Sequence, residues 1–503
     1  MQSRTKNAKR NAVGGIINRI TGILIPFLLR TALIKVLGEE YLGLSNLFTS
    51  ILQVLNMADL GFGTAIGYSM YKPIAENDTE KICALLNLYK KIYSAISVII
   101  LIAGLVVMPF LDKFIYGEYP ENINIYVLFF MYLINTVLEY GIFAHRKTLM
   151  SACQRSDVEN FVNSGVQIVV DTIKVVTLFL FKSYYLYVFF VPIITLLTNL
   201  ILAAISYKMY PQYRCKGKID SHELREIKKK VVGLTIQKFG NTISTSLDTI
   251  IISMFLGLSS VAVYGNYFYI VSAIISFLWV AIYSTTAGLG DSIVTEGVEK
   301  NYLNFKRLTI LNQWAISWCL PSLLCLYQHF MKMWVGEKMM SNFSLVIWMC
   351  IFFFVSQVRK IVLVFKDATG MWWIDKWKPL VGCIVNLSFN IILVKMIGME
   401  GVIISTVISY LFVELPWETH VLYKNYFKKG ESVYYADIMK YVVLDLVICG
   451  LCWKICTFLP DTGIGWFVAK GILCVVLANM IFICIHSKNE IFVDTIKKIL
   501  KNR

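Results

Sequence analysis

The sequence has 503 residues, of which 57% are hydrophobic and 16% are charged, whereas soluble proteins have about 25% charged residues. With a mean hydropathy of +0.64, this composition excludes a water-soluble fold, because too few polar side chains are present to cover a surface. The net charge of +16 lies mainly at predicted membrane edges. Contact with anionic lipid headgroups explains it more simply than nucleic-acid binding does.

Apolar segments separated by short polar connections follow one another along the chain. Each is close to the length of about 20 residues that a helix needs to cross the hydrocarbon core. The predicted helices are 11–33, 43–70, 88–110, 123–145, 160–182, 184–207, 232–256, 259–287, 308–329, 343–365, 379–397, 401–423, 438–459 and 464–487. We therefore predict an all-α, polytopic membrane protein with about fourteen transmembrane helices.

The distribution of Lys and Arg predicts the orientation of these helices. Most of the 48 Lys and Arg residues fall in cytoplasmic segments if the N-terminus is cytoplasmic, as the positive-inside rule requires. Both termini and the 208–230 loop are therefore expected in the cytoplasm of a bacterium, with the chain in its cytoplasmic membrane. Within that loop, the stretch 221–227 predicts a short interfacial helix capped by Ser221.

An internal repeat is visible when the chain is shifted by about 219 residues, which pairs Arg19 with Lys238 and Gly38 with Gly257. An offset of about six helices keeps both halves in the same orientation, as in transporters that alternate access between two lobes. The predicted divisions are an N-terminal lobe at 1–218, a C-terminal lobe at 219–434, and helices thirteen and fourteen with a cytoplasmic tail at 435–503.

Charged residues within the predicted helices are candidate functional residues, because a charge in the bilayer is costly and is usually found in a cavity, an ion pair or the interface. The basic candidates for substrate binding are Arg19, Arg30, Lys174, Lys238, Arg359 and Lys360. The acidic candidates, for a coupling ion or a salt bridge, are Asp59, Glu139, Asp171 and Asp248.

Arg19 and Arg30 are the strongest of these candidates. They are eleven residues apart, which places them on one face of a helix, about 16 Å apart. Pro26 lies between them and predicts a bend. Both arginines are expected to line a central cavity, and the alternative is structural pairing with acidic neighbours.

The other candidates leave more alternatives open. Asp171 and Lys174 are three residues apart and can pair with each other. Arg359 and Lys360 lie near a predicted cytoplasmic helix end, where they can reach the interface. Lys238 lies about two turns inside the seventh helix, and Asp59 could bind a coupling ion or form a salt bridge.

Enzyme and metal signatures are absent from the sequence. The twelve cysteines are scattered through apolar segments and are interpreted as small buried side chains, with no metal site predicted. Phosphate-binding loops and metalloprotease motifs do not occur, and the short external loops leave little room for a glycosyltransferase or polymerase active site. The chain is therefore predicted to be a transporter.

Two segments resemble bacterial polysaccharide biosynthesis proteins that flip lipid-linked oligosaccharide repeat units. The first runs from Tyr41–Leu44 through Asp59–Gly63, and the second is Val263–Tyr267. That family is part of the multidrug, oligosaccharidyl-lipid and polysaccharide exporter (MOP) superfamily. The resemblance implies two six-helix lobes, two extra helices and an undecaprenyl-diphosphate-linked sugar as cargo. It also implies that Arg19, Arg30 and Lys238 face the cavity.

The sequence departs from related peptidoglycan-precursor flippases in its eighth helix, where 259–287 contains no basic residue. The resemblance therefore implies a capsule, exopolysaccharide or teichoic-type repeat unit rather than lipid II. A monomer without a cofactor is expected, and whether Na⁺ or H⁺ couples transport is left open. The polymerase and glycosyltransferases of the pathway are candidate partners. The alternatives are a drug/cation antiporter of the same fold and a membrane glycosyltransferase or polymerase.

Overall fold

The computed structural model describes residues 4–56, 62–371 and 374–501, except for the side chains of 4–9, 64–65, 226, 228–230, 232–245, 280–288, 290–291, 294 and 499–501. Helices make up the regular structure of these residues, and no strand occurs among them. A helix satisfies its backbone hydrogen bonds within one segment, which the hydrocarbon core requires. The chain divides into two compact units, unit 1 at Met1–Ala262 and unit 2 at Val263–Arg503.

Unit 1 contains nine helices in the described part of the chain. They are α1 (Arg4–Val36), α2 (Glu39–Leu55), α3 (Phe62–Glu76), α4 (Thr79–Val107), α5 (Ile125–Gly141), α6 (Ala144–Ala152), α7 (Ser156–Phe181), α8 (Tyr184–Met209) and α9 (Ser221–Leu256). A 3₁₀ turn, Met108–Phe114, follows α4. Within the unit, α1 packs along α7, and α9 packs against α2 and α3.

The next helix, α10 (Leu258–Thr295), begins at the end of unit 1 and continues into unit 2. The helices that follow are α11 (Val298–Val335), α12 (Phe343–Ala368), α13 (Lys378–Ile397), α14 (Met399–Ile408), α15 (Leu415–Leu422), α16 (Ser432–Cys456), α17 (Ile464–His486) and α18 (Glu490–Lys501). π-helical turns at Ser409–Glu414 and Tyr423–Phe427 border α15.

The membrane fold predicted from the sequence is confirmed. Ten helices of the described residues are long and apolar enough to cross a membrane, or eleven if the bent pair α5 and α6 forms one span. The number fourteen stays a prediction, as does the division of the chain at residues 218 and 434. The helix α16 is not among the ten, and it carries four charged side chains: Asp437, Lys440, Asp445 and Lys454.

Two details of the sequence prediction are wrong. The segment 221–227 is not a separate interfacial helix, because α9 runs without a break from Ser221 to Leu256. Its N-terminus is capped by Asp220, whose side chain accepts a hydrogen bond from the His222 amide at 3.2 Å, rather than by Ser221. In addition, the C-terminal helix α18 was not predicted.

Glycine determines how two helices begin. Gly38 has a φ of +118° and directly precedes α2, and Gly257 has a φ of +84° and directly precedes α10. Residues other than glycine rarely adopt a backbone conformation with such a positive φ. These two glycines are the pair that the internal repeat aligns. The two positions are therefore also structurally equivalent, because each directly precedes a helix.

Candidate functional site

The helix α1 carries two of the predicted substrate residues. It continues through Pro26 from Arg4 to Val36. Arg19 is exposed and Arg30 is half-buried. The Arg30 guanidinium donates a hydrogen bond to Asn46 Oδ1 on α2 at 3.0 Å, so a neutral side chain helps to orient this charge.

A cluster of tyrosines lies beside Arg30 in unit 1. Tyr132 and Ser45 share a hydrogen bond of 2.8 Å, and the Tyr184 hydroxyl donates to the Tyr41 carbonyl at 3.1 Å. Tyr184 stacks on Tyr187 with ring centroids 6.0 Å apart. The tyrosines are buried, and α2, α5 and α8 therefore meet around hydroxyl groups as well as apolar surface.

The Tyr187 ring connects this cluster to two basic candidates. Lys174 Nζ lies 4.0 Å from the ring centroid, and Arg30 lies within electrostatic reach of the Tyr187 hydroxyl. Aromatic faces attract cations in this arrangement. Lys174 therefore borders the Tyr187 ring, and the Arg30 charge acts on the same tyrosine.

Asp171 and Lys174 form the pair that their spacing predicted as one alternative. Lys174 Nζ lies 3.9 Å from Asp171 Oδ1, and both residues are buried on α7. A paired charge is less costly in a low-dielectric interior than a single one. The pair adds no net charge, which favours its structural interpretation.

A cavity of about 390 Å³ lies between α1 and α7, and Asp171 is part of its lining. Most of the lining is apolar, with Leu28, Leu29, Val176 and Phe179 among its residues. The cavity is therefore suited to hydrocarbon, such as a lipid tail, more than to a sugar.

The start of α7 is attached to α1 by charged groups that the sequence analysis did not single out. Arg10 Nε donates to Asp157 Oδ2 at 3.1 Å, and Arg155 Nε donates to Asp157 Oδ1 at 3.0 Å. The Asp157 amide donates to Asn11 Oδ1 at 2.9 Å. Arg10 and Asp157 are distant in sequence, so no local pattern indicates their contact.

In unit 2, Arg359 belongs to a buried network of charges. Its guanidinium pairs with Glu414 and donates two hydrogen bonds of 2.9 Å to Glu418. Lys378 also pairs with Glu418 and lies 3.7 Å from Asp375, which in turn pairs with Lys366. All six side chains are buried.

The buried part of the network contains three cations and three carboxylates, and the more exposed Asp367 adds a fourth carboxylate 3.5 Å from Lys366. Glu414 is the last residue of a π-helical turn, a rare feature that occurs mostly as a single turn within α-helices. A Cβ at position 382 would lie 2.9 Å from Glu414 Oε1, so Gly382 makes room for this carboxylate. The environment of Arg359 therefore accounts for its charge without a ligand.

Lys360 has a different environment from its neighbour Arg359. It is half-buried, and its Nζ lies 4.6 Å from the Trp279 ring centroid on α10.

The acidic candidates lie on different helices. Glu139 is exposed on α5, and Asp248 is buried on α9. Asp59 lies outside the described residues. Lys238 is in α9, but its side chain is not among those described, so its proposed correspondence to Arg19 stays a prediction.

The model of the family described as "Polysaccharide biosynthesis protein" matches residues 8–287. None of the curated proteins compared matches this sequence. The resemblance that the sequence analysis found is confirmed by this family match.

Several solved structures have the same fold at low sequence identity. A structure of the lipid II flippase MurJ in an inward closed conformation has a TM-score of 0.69 and 14% identity, and the match covers 95% of this chain and 99% of that chain. An inward-facing multidrug resistance MATE family transporter of the MOP superfamily has a TM-score of 0.61 and 16% identity, with 78% and 93% covered. A MOP superfamily transporter from Pyrococcus furiosus has a TM-score of 0.55 and 15% identity, with 84% and 97% covered.

Together, the family and the fold confirm the prediction of a transporter rather than an enzyme. The MurJ match covers more of this chain than either of the other two.

Proposed function

Because this chain belongs to the polysaccharide biosynthesis protein family, we propose that it flips undecaprenyl-diphosphate-linked oligosaccharide repeat units from the inner to the outer leaflet of the bacterial cytoplasmic membrane. The products would be used for a capsule, an exopolysaccharide or a teichoic-type polymer. The observation that carries the proposal is the position of Arg30, half-buried and hydrogen-bonded to Asn46.

The chemistry of the cargo explains why arginine is suited to this position. A diphosphate does not cross hydrocarbon unaided, because removing its hydration is costly. Guanidinium groups can replace that hydration with charge-assisted, bidentate hydrogen bonds. Arg19 and Arg30, on one helix, would offer two such groups along the path of the headgroup.

The other basic candidates can be ranked for cargo binding by whether an acidic partner already balances their charge. Arg359 is balanced by Glu414 and Glu418, and Lys174 is paired with Asp171, so we assign both structural roles first. Lys360 and Lys238 stay candidates for the cargo-binding residues that the predicted C-terminal lobe would contribute. In the proposed mechanism, alternating access brings such residues and the α1 arginines to the cargo in turn.

A drug/cation antiporter is the second candidate, since MATE transporters share the fold. A cationic drug would need an unbalanced carboxylate in its site. Asp171 and Asp248 are buried on unit 1 helices and are the carboxylates that a cation or a coupling Na⁺ or H⁺ would use, but Asp171 is already paired with Lys174. The family and the arginines of α1 favour the anionic cargo.

Substitution of Arg30 tests the proposal in cells. In a strain that lacks the chromosomal gene, Arg30→Ala should lower surface polysaccharide at least about tenfold, because charge-assisted hydrogen bonds contribute about 1.5–3 kcal/mol each. The lipid-linked intermediate should accumulate. Arg30→Lys should retain part of the export, since the charge is kept.

Lys35→Ala is the matched control. Lys35 is an exposed cation on the same helix, and five residues place it about 140° around the helix from Arg30, toward the apolar cavity between α1 and α7 and away from the Asn46 contact. Export should be normal in this variant. If Arg30→Ala exports as well as Lys35→Ala at equal protein levels in the membrane, Arg30 does not hold the cargo.

A further inference from the structure

Three cysteines from three helices meet in unit 2. Cys325 lies on α11, Cys456 is the last residue of α16, and Cys474 lies on α17. Their Sγ atoms all lie within 4.8 Å of one another, and the Sγ atoms of Cys456 and Cys474 are 3.8 Å apart. Cys456 and Cys474 are buried, and Cys325 is half-buried. By contrast, Cys319 and Cys350 are not part of this group.

A histidine lies one helical turn after Cys325. His329 is 5% exposed, and neither ring nitrogen has a hydrogen-bond partner at normal geometry. Its ring packs edge-on against Phe467 at 5.6 Å. Buried polar groups are nearly always satisfied, and one that is not needs an explanation.

His329, Cys325 and Cys456 line the same cavity, of about 340 Å³. Because Cys325 and His329 are four residues apart, they lie on the same face of α11. The cavity therefore has two thiols and a buried imidazole in its lining.

We propose that this cluster is a metal site that binds one thiophilic divalent ion, with Zn²⁺ as the physiological class. Cys325, Cys456 and Cys474 would supply three thiolates. His329 is not part of this group in the structure, and it would supply the fourth ligand after its side chain rotates toward the sulfurs. In tetrahedral zinc sites the Zn–S distance is about 2.3 Å, which places two sulfurs about 3.8 Å apart. The Cys456–Cys474 distance of 3.8 Å already has this value.

Charge favours a divalent ion over a monovalent one. Three thiolates and Zn²⁺ carry one net negative charge, whereas three thiolates and Cu⁺ would carry two. Lys470 lines the same cavity and is buried, while its partner Asp461 is mostly exposed. The lysine can therefore offset one buried negative charge, and binding releases the thiol protons to water.

The site would join α16 and α17 to α11. These helices already pack around an apolar cluster that includes Ile310, Ile448, Cys452 and Phe482. Structural zinc sites add to stability directly because their ligands come from separate segments. The metal would therefore fix α16 and α17 on α11.

The test uses the full-length protein, purified in detergent under reducing conditions and treated with a chelator. Cd²⁺ and Co²⁺ are the probes, titrated separately. One ion should bind per chain, and Cd²⁺ should produce an ultraviolet thiolate-to-metal charge-transfer band. Cys325→Ser, Cys456→Ser and Cys474→Ser should each lose most of that band, whereas Cys350→Ser, a buried cysteine outside the cluster, should keep it.

His329→Ala tests the fourth ligand. It should leave the Cd²⁺–thiolate band in place and shift the visible Co²⁺ spectrum, because one nitrogen ligand is exchanged. In wild-type protein, Zn²⁺ should also protect Cys456 and Cys474 from alkylation, a readout that does not depend on how well the variants fold.

Three outcomes would overturn the proposal. They are an absence of stoichiometric Cd²⁺ binding to wild-type protein, undiminished binding in the triple serine variant, and a purified protein whose mass shows a Cys456–Cys474 disulfide that excludes metal. None of them bears on the proposed transport function.

Discussion

Glu418 interacts with two cations of the buried network in unit 2. It accepts two hydrogen bonds from Arg359 at 2.9 Å and pairs with Lys378, and its side chain is fully buried. The removal of one partner leaves an uncompensated charge in a low-dielectric interior. The stability of unit 2 therefore depends on this carboxylate.

Glu418→Gln should destabilise the protein by about 3–5 kcal/mol, the usual cost of breaking a buried ion pair. Thermal unfolding in detergent measures this effect. Glu337→Gln is the control, because Glu337 pairs with Lys332 at the surface, where ion pairs contribute little. Equal unfolding temperatures for the two variants would show that the network is not a stabilising element.

Arg359 could be identified from the sequence as an unusual charge, but its partners were not predicted. Glu414 and Glu418 are four residues apart inside an apolar segment, and this spacing places both on one helix face. That pattern was available and could have been used. The link between that face and Arg359 depends on helix packing across more than 50 positions, which no local pattern provides.

At the scale of helices, Gly43 sets the distance between α2 and the start of α10. A Cβ at this position would lie 2.1 Å from the Leu258 carbonyl oxygen. The obstacle is backbone, which cannot rotate away as a side chain can. This glycine belongs to the Tyr41–Leu44 segment on which the family resemblance rests.

Gly43→Ala should therefore destabilise the protein by about 1–3 kcal/mol, as overpacking does. Gly22→Ala is the matched control, since Gly22 is also within a helix but a Cβ added there would have no atom within 4 Å. The control should be neutral or stabilising by up to about 1 kcal/mol, because alanine favours helix. A loss of stability in Gly22→Ala alone would contradict the packing argument.

The C-terminal helix α18 is attached to α11 by Phe492 and Asp494. The Phe492 ring packs edge-on against Trp314 at 5.8 Å. Asp494 lies 3.2 Å from Lys498 and 2.5 Å from Arg307. The hydrogen bond from Lys498, followed by that from Arg307, lowers the pKa of Asp494.

A lowered pKa in the folded state makes the attachment of α18 depend on pH. The contribution of Asp494 is present above the ordinary carboxyl pKa of about 3.9 and is lost as pH falls through the lower folded value. The protection of the α18 amides, corrected for the pH dependence of intrinsic exchange, should therefore fall at acid pH, and Asp494→Asn should show this loss of protection already at pH 7. Lys497→Gln, an exposed charge on the same helix, should not; equal exchange in the two variants would contradict this role.

Helix positions were easier to predict than helix ends. Apolar length gives the spans, but α9 continues into its basic N-terminal segment, because lysine and arginine mark the membrane boundary without ending a helix. Similarly, α18 is too polar to be recognised as a span. Its apolar face could not be assigned a role from sequence, because the helices it packs against, α11 and α17, are known only from the structure. The π-helical turns beside α15 result from packing and have no sequence signal that we recognised.

At the scale of the whole molecule, the membrane class and the transporter family could be predicted from composition, spacing and two short motifs. The candidate site could be predicted only in part. Isolated charges in apolar helices were identified correctly as unusual. The Lys174 partner, Asp171, is on the same helix and could be predicted from spacing, whereas the Arg359 partners, Glu414 and Glu418, come from a later segment of the chain. Beyond one helix, a sequence pattern shows that a charge is costly and does not show what compensates for it.

The central claim is that this chain moves an anionic lipid-linked oligosaccharide across the bilayer. The direct measurement places the purified protein in liposomes that contain an undecaprenyl-diphosphate-linked oligosaccharide, and adds a membrane-impermeant glycosidase outside. In protein-free liposomes about half of the lipid should be cleaved, because the enzyme reaches one leaflet. With the wild-type protein nearly all of it should be cleaved, and with Arg30→Ala the fraction should remain near half. Cleavage of about half of the lipid in wild-type proteoliposomes, accompanied by transport of a cationic drug, would contradict the account and favour the antiporter.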